Sequence, residues 1–292
     1  MCGKRRTAMT NHKILFPVDF SESCKAMAPI VERAASIESA EITLLHVLEP
    51  PTSGFELLTR PLQEVQKDLR LVAREKLQGF LQSVFPKSPK VLVEGEAGSQ
   101  IARVAREQHF DMIIMPTYAN LFRQMLLGST TAKVLNDADC PVLTTRHADT
   151  ISPRPIEHRE WLCAVALHED SKRVVRCLVE WAKAFGANLT LVHVISTGET
   201  RGHTEFDLEE GPQSEEVKSA HRRIEGFLKE IGARVPLHVI RGPIKDSLTE
   251  AARKFAADVL AIGRAPQPGP LGRLRDLSYV VVRDAPCPVL SV

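Results

Sequence analysis

Short apolar runs alternate with amphipathic stretches along the first half of the chain. Five runs are typical of β-strands: KILFPV (13–18), EITLLHVL (41–48), KVLVEG (90–95), DMIIMP (111–116) and PVLTT (141–145). Apolar residues at helical spacing predict helices between them, over 21–38, about 61–85, 99–109 and 130–138. Ser21 is the expected N-cap of the first helix. Because strands alternate with helices and the apolar runs are continuous, we expect right-handed crossovers and a parallel sheet covered on both faces.

The pattern recurs 147 residues further along the chain. Matching positions include His46 with His193, Gly95 with Gly242, Asp111 with Asp258, and Cys140-Pro141 with Cys287-Pro288. A repeat of this length is too long for a solenoid and indicates a duplicated domain, each copy having its own core. We therefore predict a disordered tail at 1–10, a first domain at 11–148, a polar linker at 149–159 and a second domain at 160–292.

Composition restricts the class of protein. The 292 residues are 43% hydrophobic and 25% charged, with a net charge of +2, which is typical of a globular protein and gives no strong field for nucleic acid or acidic lipid. No apolar run approaches the ~20 residues that span a bilayer, and the N-terminus does not resemble a signal peptide, so a cytoplasmic location is expected. Six cysteines include no Cys-x-x-Cys pair. Cys140 and Cys287, each before a proline, are interpreted as small buried apolar residues.

Candidate chemistry lies where the predicted strands end. Ligands of open parallel sheets bind beyond the carboxyl ends of the strands. Three segments of the first copy reach that edge: Asp19 after the first strand, residues 46–48 at the end of the second, and residues 128–130 at the start of a helix. Helix N-terminal amides bind phosphate, and glycine lets the phosphate approach closely. A nearby carboxylate can accept a hydrogen bond from a ribose hydroxyl or a base amine.

These residues resemble those of the tandem universal stress proteins. The resemblance is carried by FPVDFSE, LLHVLE, VEGEAGSQIARVAREQHFDMIIM and LLGSTTAKVLNDADCPVL, and by LTLVHVI, RGPIKDSLTEAARKFAADVLAIG and VVVRDAPCPVL in the second copy. It implies two doubly wound five-stranded α/β domains, with strand order 3-2-1-4-5, packed as a pseudo-dimer through their last strands.

The resemblance also implies a nucleotide site with a glycine-rich segment after the fourth strand. The first copy departs from the ATP-binding pattern, because Pro116 and Ala119 stand at the early glycines. A proline has no amide proton to donate. The predicted contacts, for ATP and its accompanying Mg²⁺, are Asp19, Val47, Met115, Gly128, Ser129 and Thr130.

The second copy keeps less of this pattern. Gly263 is retained, but Arg275 and Asp276 replace the later glycine and serine, and Asp19 becomes Ala166, or Leu167 if the register slips by one. We therefore expect nucleotide in the first domain only. Arg264, Arg273 and Arg275 could form an anion site, but they are interpreted as a solvated basic loop.

Two classes of function stay open at this point. One is a non-catalytic, nucleotide-responsive stress protein; the other is an interaction protein of the same fold that acts through its surface. An adenylyl-transfer enzyme is not favoured, because neither a Ser-Gly-Gly-x-Asp-Ser loop nor a His-x-Gly-His motif occurs. His46 and His193 are interpreted as core histidines with satisfied rings, so neither a metal site nor a catalytic residue is predicted. A homodimer is compatible with the last strand being exposed at a sheet edge.

Overall fold

The structure, a computed structural model, describes residues 12–50, 62–117, 127–146, 160–168, 170–196, 205–206, 214–264 and 276–292. Two compact units divide the chain, one containing residues 12–143 and the other residues 160–292. Each is an α/β unit with a mainly parallel sheet, which confirms the predicted fold class. The packing of the two domains as a pseudo-dimer stays a prediction, and so do the limits of the linker.

The first domain follows the predicted alternation closely. Its strands are β1 (Lys13–Pro17), β2 (Glu41–Leu48), β3 (Lys90–Glu94), β4 (Met112–Thr117) and β5 (Val142–Arg146). Its helices are α1 (Glu22–Glu38), α2 (Leu62–Val84), α3 (Ala97–Glu107) and α4 (Ser129–Asp137). The strands lie in the order β3–β2–β1–β4–β5. Ser21 caps α1, as expected, because its hydroxyl accepts a hydrogen bond from the amide of Cys24 at 3.2 Å.

The second domain repeats this arrangement with one addition. Its strands are β6 (Glu160–Ala164), β7 (Asn188–Ser196), β8 (Glu205–Phe206), β9 (Leu237–Gly242), β10 (Val259–Ile262) and β11 (Val289–Ser291). Its helices are α5 (Asp170–Phe185), α6 (Glu215–Glu230), α7 (Ile244–Lys254) and α8 (Asp276–Asp284). The order is β9–β7–β6–β10–β11, and the two-residue β8 pairs antiparallel with β9 at the edge. The sequence pattern did not predict β8, since two residues are too few to show a periodicity.

The residues repeated at an interval of 147 have structural roles in both copies. Gly95 and Gly242 follow or end the third strand with φ of 134° and 153°, a region that favours glycine. Asp111 accepts a hydrogen bond from the amide of Lys13 at 2.9 Å, and Asp258 accepts one from the amide of Glu160 at 3.0 Å. These carboxylates tie the start of the central strand to its neighbour. The duplication therefore preserves the residues that fix the sheet.

Large apolar side chains between sheet and helices form the core of each domain. Fully buried examples are Leu15, Phe16, Leu44, Leu45, Ile113 and Ile114 in the first domain and Leu162, Leu178 and Leu191 in the second. Such side chains each contribute roughly 1.5–3 kcal/mol by leaving water. Among the described residues, no helix combines the length and apolar content needed to cross a membrane.

Candidate functional site

The carboxyl edge of the first sheet brings several predicted residues to one level. Pro17 pairs with Leu45, so Asp19, two residues further on, is level with Val47 of β2. On the other side Leu15 pairs with Ile113, which places Thr117 of β4 at the same level. Parallel strands end on a common edge, which is why residues far apart in sequence meet here. Met115 lies two residues deeper in β4 and is buried.

Asp19 lies in the loop between β1 and α1, and its exposed side chain accepts two hydrogen bonds. Its Oδ1 accepts hydrogen bonds from the amide of Ser21 at 3.1 Å and from the thiol of Cys24 at 2.9 Å. The first contact is an Asx-turn, in which a short side chain organises the backbone two residues on. Asp19 therefore helps to build the start of α1.

Cys24 is the buried partner of this carboxylate and was not identified from the sequence. It is 1% exposed on the inner face of α1. Burial, reinforced by the negative charge of Asp19, raises the pKa of the Cys24 thiol to about 12. The thiol keeps its proton at neutral pH and can donate it to Asp19. The only signal in the sequence is the spacing of Asp19 and Cys24, which is too common to be informative.

The N-terminus of α4 is the second part of the candidate site. Gly128 is its N-cap, with φ of −56° and ψ of 141°, and the first bond of the helix runs from the amide of Ala132 to its carbonyl at 2.9 Å. The amides of Ser129, Thr130 and Thr131 precede that bond and so have no partner within the helix. A Cβ added at Gly128 would meet its nearest atom, Oγ1 of Thr131, at 4.0 Å. Among the described residues, therefore, no side chain blocks these amides on the side of Gly128.

Pro116 and Thr117 end β4 beside this helix terminus. Both are buried, and the hydroxyl of Thr117 has no hydrogen-bond partner among the described residues. A buried hydroxyl without a partner is costly, so its place at the end of β4 makes it a further candidate contact for a bound molecule. Ala119 lies outside the described residues.

The second domain differs at the equivalent edge. The amide of Val165 donates to Val192 at 2.8 Å, as that of Val18 does to Leu45, so the register does not slip and Ala166 stands at the position of Asp19. Ala166 has no side-chain acceptor. Arg264 was interpreted as solvated, and this was wrong, because the residue is only 7% exposed. It lies two residues after the end of β10, and its amide donates a hydrogen bond to the carbonyl of the buried Val292. Arg275 lies outside the described residues, and the side chain of Asp276 is not described.

His46 and His193 have the same environment in the two copies. Nδ1 of His46 lies 2.8 Å from the carbonyl oxygen of Val18, and Nδ1 of His193 lies 2.8 Å from that of Val165. Because a carbonyl only accepts, Nδ1 carries the proton in both rings. Burial lowers the pKa of His193, and the nearby Arg223 adds to this effect. The interpretation as core histidines, each bonded through its ring, agrees with this geometry.

An open cavity of about 480 Å³ lies in the second domain between the end of β7 and the start of α6. Its lining includes Leu167, His193, Ile195, Glu215, Glu216 and Ala220. No sequence pattern indicated a cavity beside Glu215 and Glu216.

Cys140 and Cys287 are half-buried in their Cys-Pro elements instead of fully buried. The carbonyls of the following Pro141 and Pro288 accept hydrogen bonds from Ile113 and Leu260, each at 2.9 Å. The Cys-Pro element therefore continues the sheet beside the fourth strand in both copies.

Comparison with known proteins agrees with this architecture. The family model described as the universal stress protein family matches residues 10–146 and again residues 159–292. Universal stress protein MJ0577 of Methanocaldococcus jannaschii is 26% identical over 156 residues, which is 47% of this chain and 96% of that protein. A Thermus aquaticus universal stress protein is 28% identical over 136 residues, 46% of this chain and 97% of that protein.

A solved structure also matches the chain over both domains. The crystal structure of a universal stress protein from Archaeoglobus fulgidus matches 97% of this chain and 98% of its own, with a TM-score of 0.70 and 20% identity. At that identity the likeness shows the fold alone. Since the family model accounts for both halves of the sequence, the chain belongs to the universal stress protein family and carries two of its domains in tandem.

Proposed function

We propose that this protein is a non-catalytic stress protein whose first domain binds ATP or a related nucleotide, and whose second domain binds none at the equivalent edge. The observation that carries the proposal is the open N-terminus of α4 at Gly128, at the sheet edge where Asp19 and Val47 are level with each other. Amides that have no partner within the helix, and the positive helix end, favour phosphate there.

The residues present fit such a group. Phosphate oxygens would be held by the amides of Ser129, Thr130 and Thr131, whose approach is not blocked by a side chain at Gly128. Asp19 and Val47 would face the nucleoside, Met115 would support it from within β4, and the hydroxyl of Thr117 is a further donor. Mg²⁺ would accompany the phosphates and balance their charge.

The second domain lacks two of these features. Ala166 replaces the carboxylate, and the helix corresponding to α4 begins at an aspartate, whose negative charge opposes phosphate. The expected stoichiometry is therefore one nucleotide per chain.

Titration calorimetry with MgATP tests the proposal on wild type, Gly128→Val, Asp19→Asn and Asp19→Ala. Asn keeps an oxygen for Ser21 and Cys24 but loses the charge, so it separates a ligand contact from the structural role of Asp19. A hydrogen bond to a charged group is worth roughly 1.5–3 kcal/mol, so Asp19→Asn should weaken binding about tenfold or more with little change in Tm. Gly128→Val should abolish binding without backbone strain, since φ at Gly128 is −56°. Gly79→Ala, on the exposed face of α2, is the matched control.

Absence of binding at millimolar MgATP would refute the nucleotide site, and a stoichiometry of two would refute the asymmetry between domains. If Asp19→Asn binds like wild type while Asp19→Ala loses stability, Asp19 serves α1 only.

The alternative is an interaction protein, and one observation favours it. Leu71 and Val72 on α2 are 57% and 46% exposed, whereas their counterparts in the second copy are Lys218 and Ser219. Adjacent exposed apolar side chains on one domain are compatible with a protein partner on that face. This alternative stands if wild type binds no nucleotide and Leu71→Lys reduces self-association or partner binding.

A further inference from the structure

The cavity of the second domain has a direct counterpart in the first, and the counterpart is filled. In the first domain the ring of Phe20 lies against the ring of His46, with centroids 4.4 Å apart and planes at 40°. The same Phe20 ring also meets Phe80, at 6.1 Å. The imidazole of the first copy is thus covered by an aromatic ring supplied from the loop after β1.

The second copy has the imidazole without this cover. Leu167 stands 147 positions after Phe20 and is smaller and not aromatic. The loop also turns differently, since Phe20 has φ of 66° and Leu167 is not among the described residues with positive φ. His193 keeps the hydrogen bond of its counterpart to a backbone carbonyl, and Leu167 and His193 both line the cavity. The open volume therefore lies against His193, the counterpart of the histidine that Phe20 covers in the first domain.

We propose that this cavity binds a planar heteroaromatic amine, whose ring stacks on His193 in the way that Phe20 stacks on His46. The volume of about 480 Å³ lies within the range of small-molecule sites and exceeds what a single fused ring needs. The site uses neither Asp19 nor Gly128, so it is independent of nucleotide binding in the first domain.

The chemistry of the lining selects this class of ligand. Leu167, Ile195 and Ala220 are apolar and belong to the cluster that also contains Val217 and Val239, so they favour an apolar ring body. Nδ1 of His193 donates to the carbonyl of Val165, which holds the imidazole in place and leaves its face to pack against the ligand ring. The ring of His193 stays neutral at pH 7 because burial disfavours its charged form.

The carboxylates of Glu215 and Glu216 select the charge of the ligand. They line the cavity, and an ammonium group on the ligand can join their ion pairs, while Arg223, which donates to the carbonyl of Leu167 at 3.0 Å, brings a positive charge to the same lining. The pairs are exposed, and two of the three are long: Glu215 with Lys218 at 3.1 Å, Glu215 with Arg222 at 3.8 Å, and Glu216 with Arg241 at 3.8 Å. Exposed pairs of this kind contribute little, so a ligand amine can share the carboxylates without breaking a strong interaction.

Three indole probes separate these contributions on the full chain. Tryptamine carries the ring, the ring N–H and the ammonium; 1-methyltryptamine lacks the N–H; indole-3-acetate reverses the charge. Two-dimensional NMR with selectively labelled histidine measures both the affinity of the ligand and the histidine that it contacts. The variant His193→Asn identifies the signals of His193. We expect tryptamine to bind with Kd of about 1 mM or tighter and to shift the His193 ring signals, with 1-methyltryptamine binding similarly and indole-3-acetate more weakly.

Reciprocal substitutions use the first domain as the matched control. Leu167→Phe should fill the cavity from within and weaken tryptamine binding at least tenfold. Phe20→Leu should leave the His193 shifts unchanged and bring the His46 signals into the titration.

Several results would overturn the proposal: no shift of His193 with 10 mM tryptamine, equal binding by Leu167→Phe with an unchanged Tm, or tighter binding of indole-3-acetate than of tryptamine. If Leu167→Phe fails to fold, Ala220→Leu blocks the same cavity from α6, and unaltered binding by that variant would have the same meaning.

Discussion

Nδ1 of His46 donates a hydrogen bond to the carbonyl oxygen of Val18, across the gap between β2 and the end of β1. This contact closes the last open position of the central strand pair, beyond the amide of Val18, which donates to Leu45. The second copy has the same contact between His193 and Val165. The ring of the histidine therefore completes the sheet edge in the same way in both domains.

The stability of the second domain should fall below neutral pH through His193. Its pKa is lowered in the folded state, chiefly by burial, so the unfolded chain binds the proton more readily. The stabilising contribution of the neutral ring is fully present at pH values above the pKa of about 6.5 that histidine has in the unfolded chain. It is lost as the pH falls below that pKa toward the lower pKa of the folded state. Urea unfolding at pH 7.5, 6.5 and 5.5 should show wild type losing its advantage over His193→Asn. A constant difference between the two proteins across this range would contradict the assignment.

Asp284 should contribute stability that is lost only in strong acid. Its carboxylate receives two hydrogen bonds from Arg283, at 2.7 and 2.8 Å, and pairs with Lys245 at 2.8 Å, which lowers its pKa to about 2. The stability from this group is fully present at pH values above the ordinary pKa of about 3.9 and disappears as the pH falls through the pKa of the folded state. Because the group is partly exposed, Asp284→Asn should cost only about 1 kcal/mol at pH 7 and nothing near pH 2.

The repeat provides the control for this measurement. Asp137 is the counterpart of Asp284; it pairs with Lys133 at 2.8 Å, but Asn136 precedes it instead of an arginine. Asp137→Asn should therefore cost less stability at pH 7 than Asp284→Asn. The opposite ranking would show that Arg283 does not hold the carboxylate.

Gly98 should be intolerant of any side chain. A Cβ at this position of α3 would lie 2.5 Å from Cβ of Lys133 on α4, too close to be relieved by the flexible end of the lysine. Overpacking between two helices costs about 1–3 kcal/mol, so Gly98→Ala should lower the free energy of unfolding by that amount. The change also moves α4, which carries the candidate phosphate site.

Gly79 and Gly226 give the matched comparison, since both are helical, exposed and without neighbours within 4 Å of an added Cβ. Gly79→Ala and Gly226→Ala should each stabilise their own domain by about 0.5–1 kcal/mol. Denaturant unfolding of each variant measures whether the substitution raises or lowers the free energy of unfolding. A Gly98→Ala protein as stable as wild type would mean that α3 and α4 lie further apart than described.

Three thiols, the buried Cys24 and Cys163 and the half-buried Cys287, should be unreactive in the folded protein. Burial raises the pKa of Cys24, Cys163 and Cys287 to about 12 in each case. Thiolate, the reactive form, is then scarce at pH 8. Iodoacetamide at pH 8, followed by peptide mass analysis, should label these three cysteines only after urea is added. Rapid native labelling of Cys24 would contradict its hydrogen bond to Asp19.

The sequence by itself determined the elements and their duplication. The boundaries of β2 were predicted without error, and those of the other first-domain strands to within one residue, because continuous apolar runs between turn residues leave few alternatives. The interval of 147 residues also determined which positions correspond, and the matching bonds of Val18 and Val165 follow it. These are local or periodic properties, and a linear chain displays them directly.

Only the tertiary structure decided what the corresponding positions do. Asp19 and Cys24 share a hydrogen bond, and the missing side chain of Gly98 leaves room for Lys133. Leu167 leaves His193 uncovered, whereas Phe20 covers His46 at the corresponding position of the first copy. Each of these depends on the distance between side chains on different turns or elements. A cavity is a property of packed volume, and no pattern of hydrophobic and polar residues records the space that is left between them.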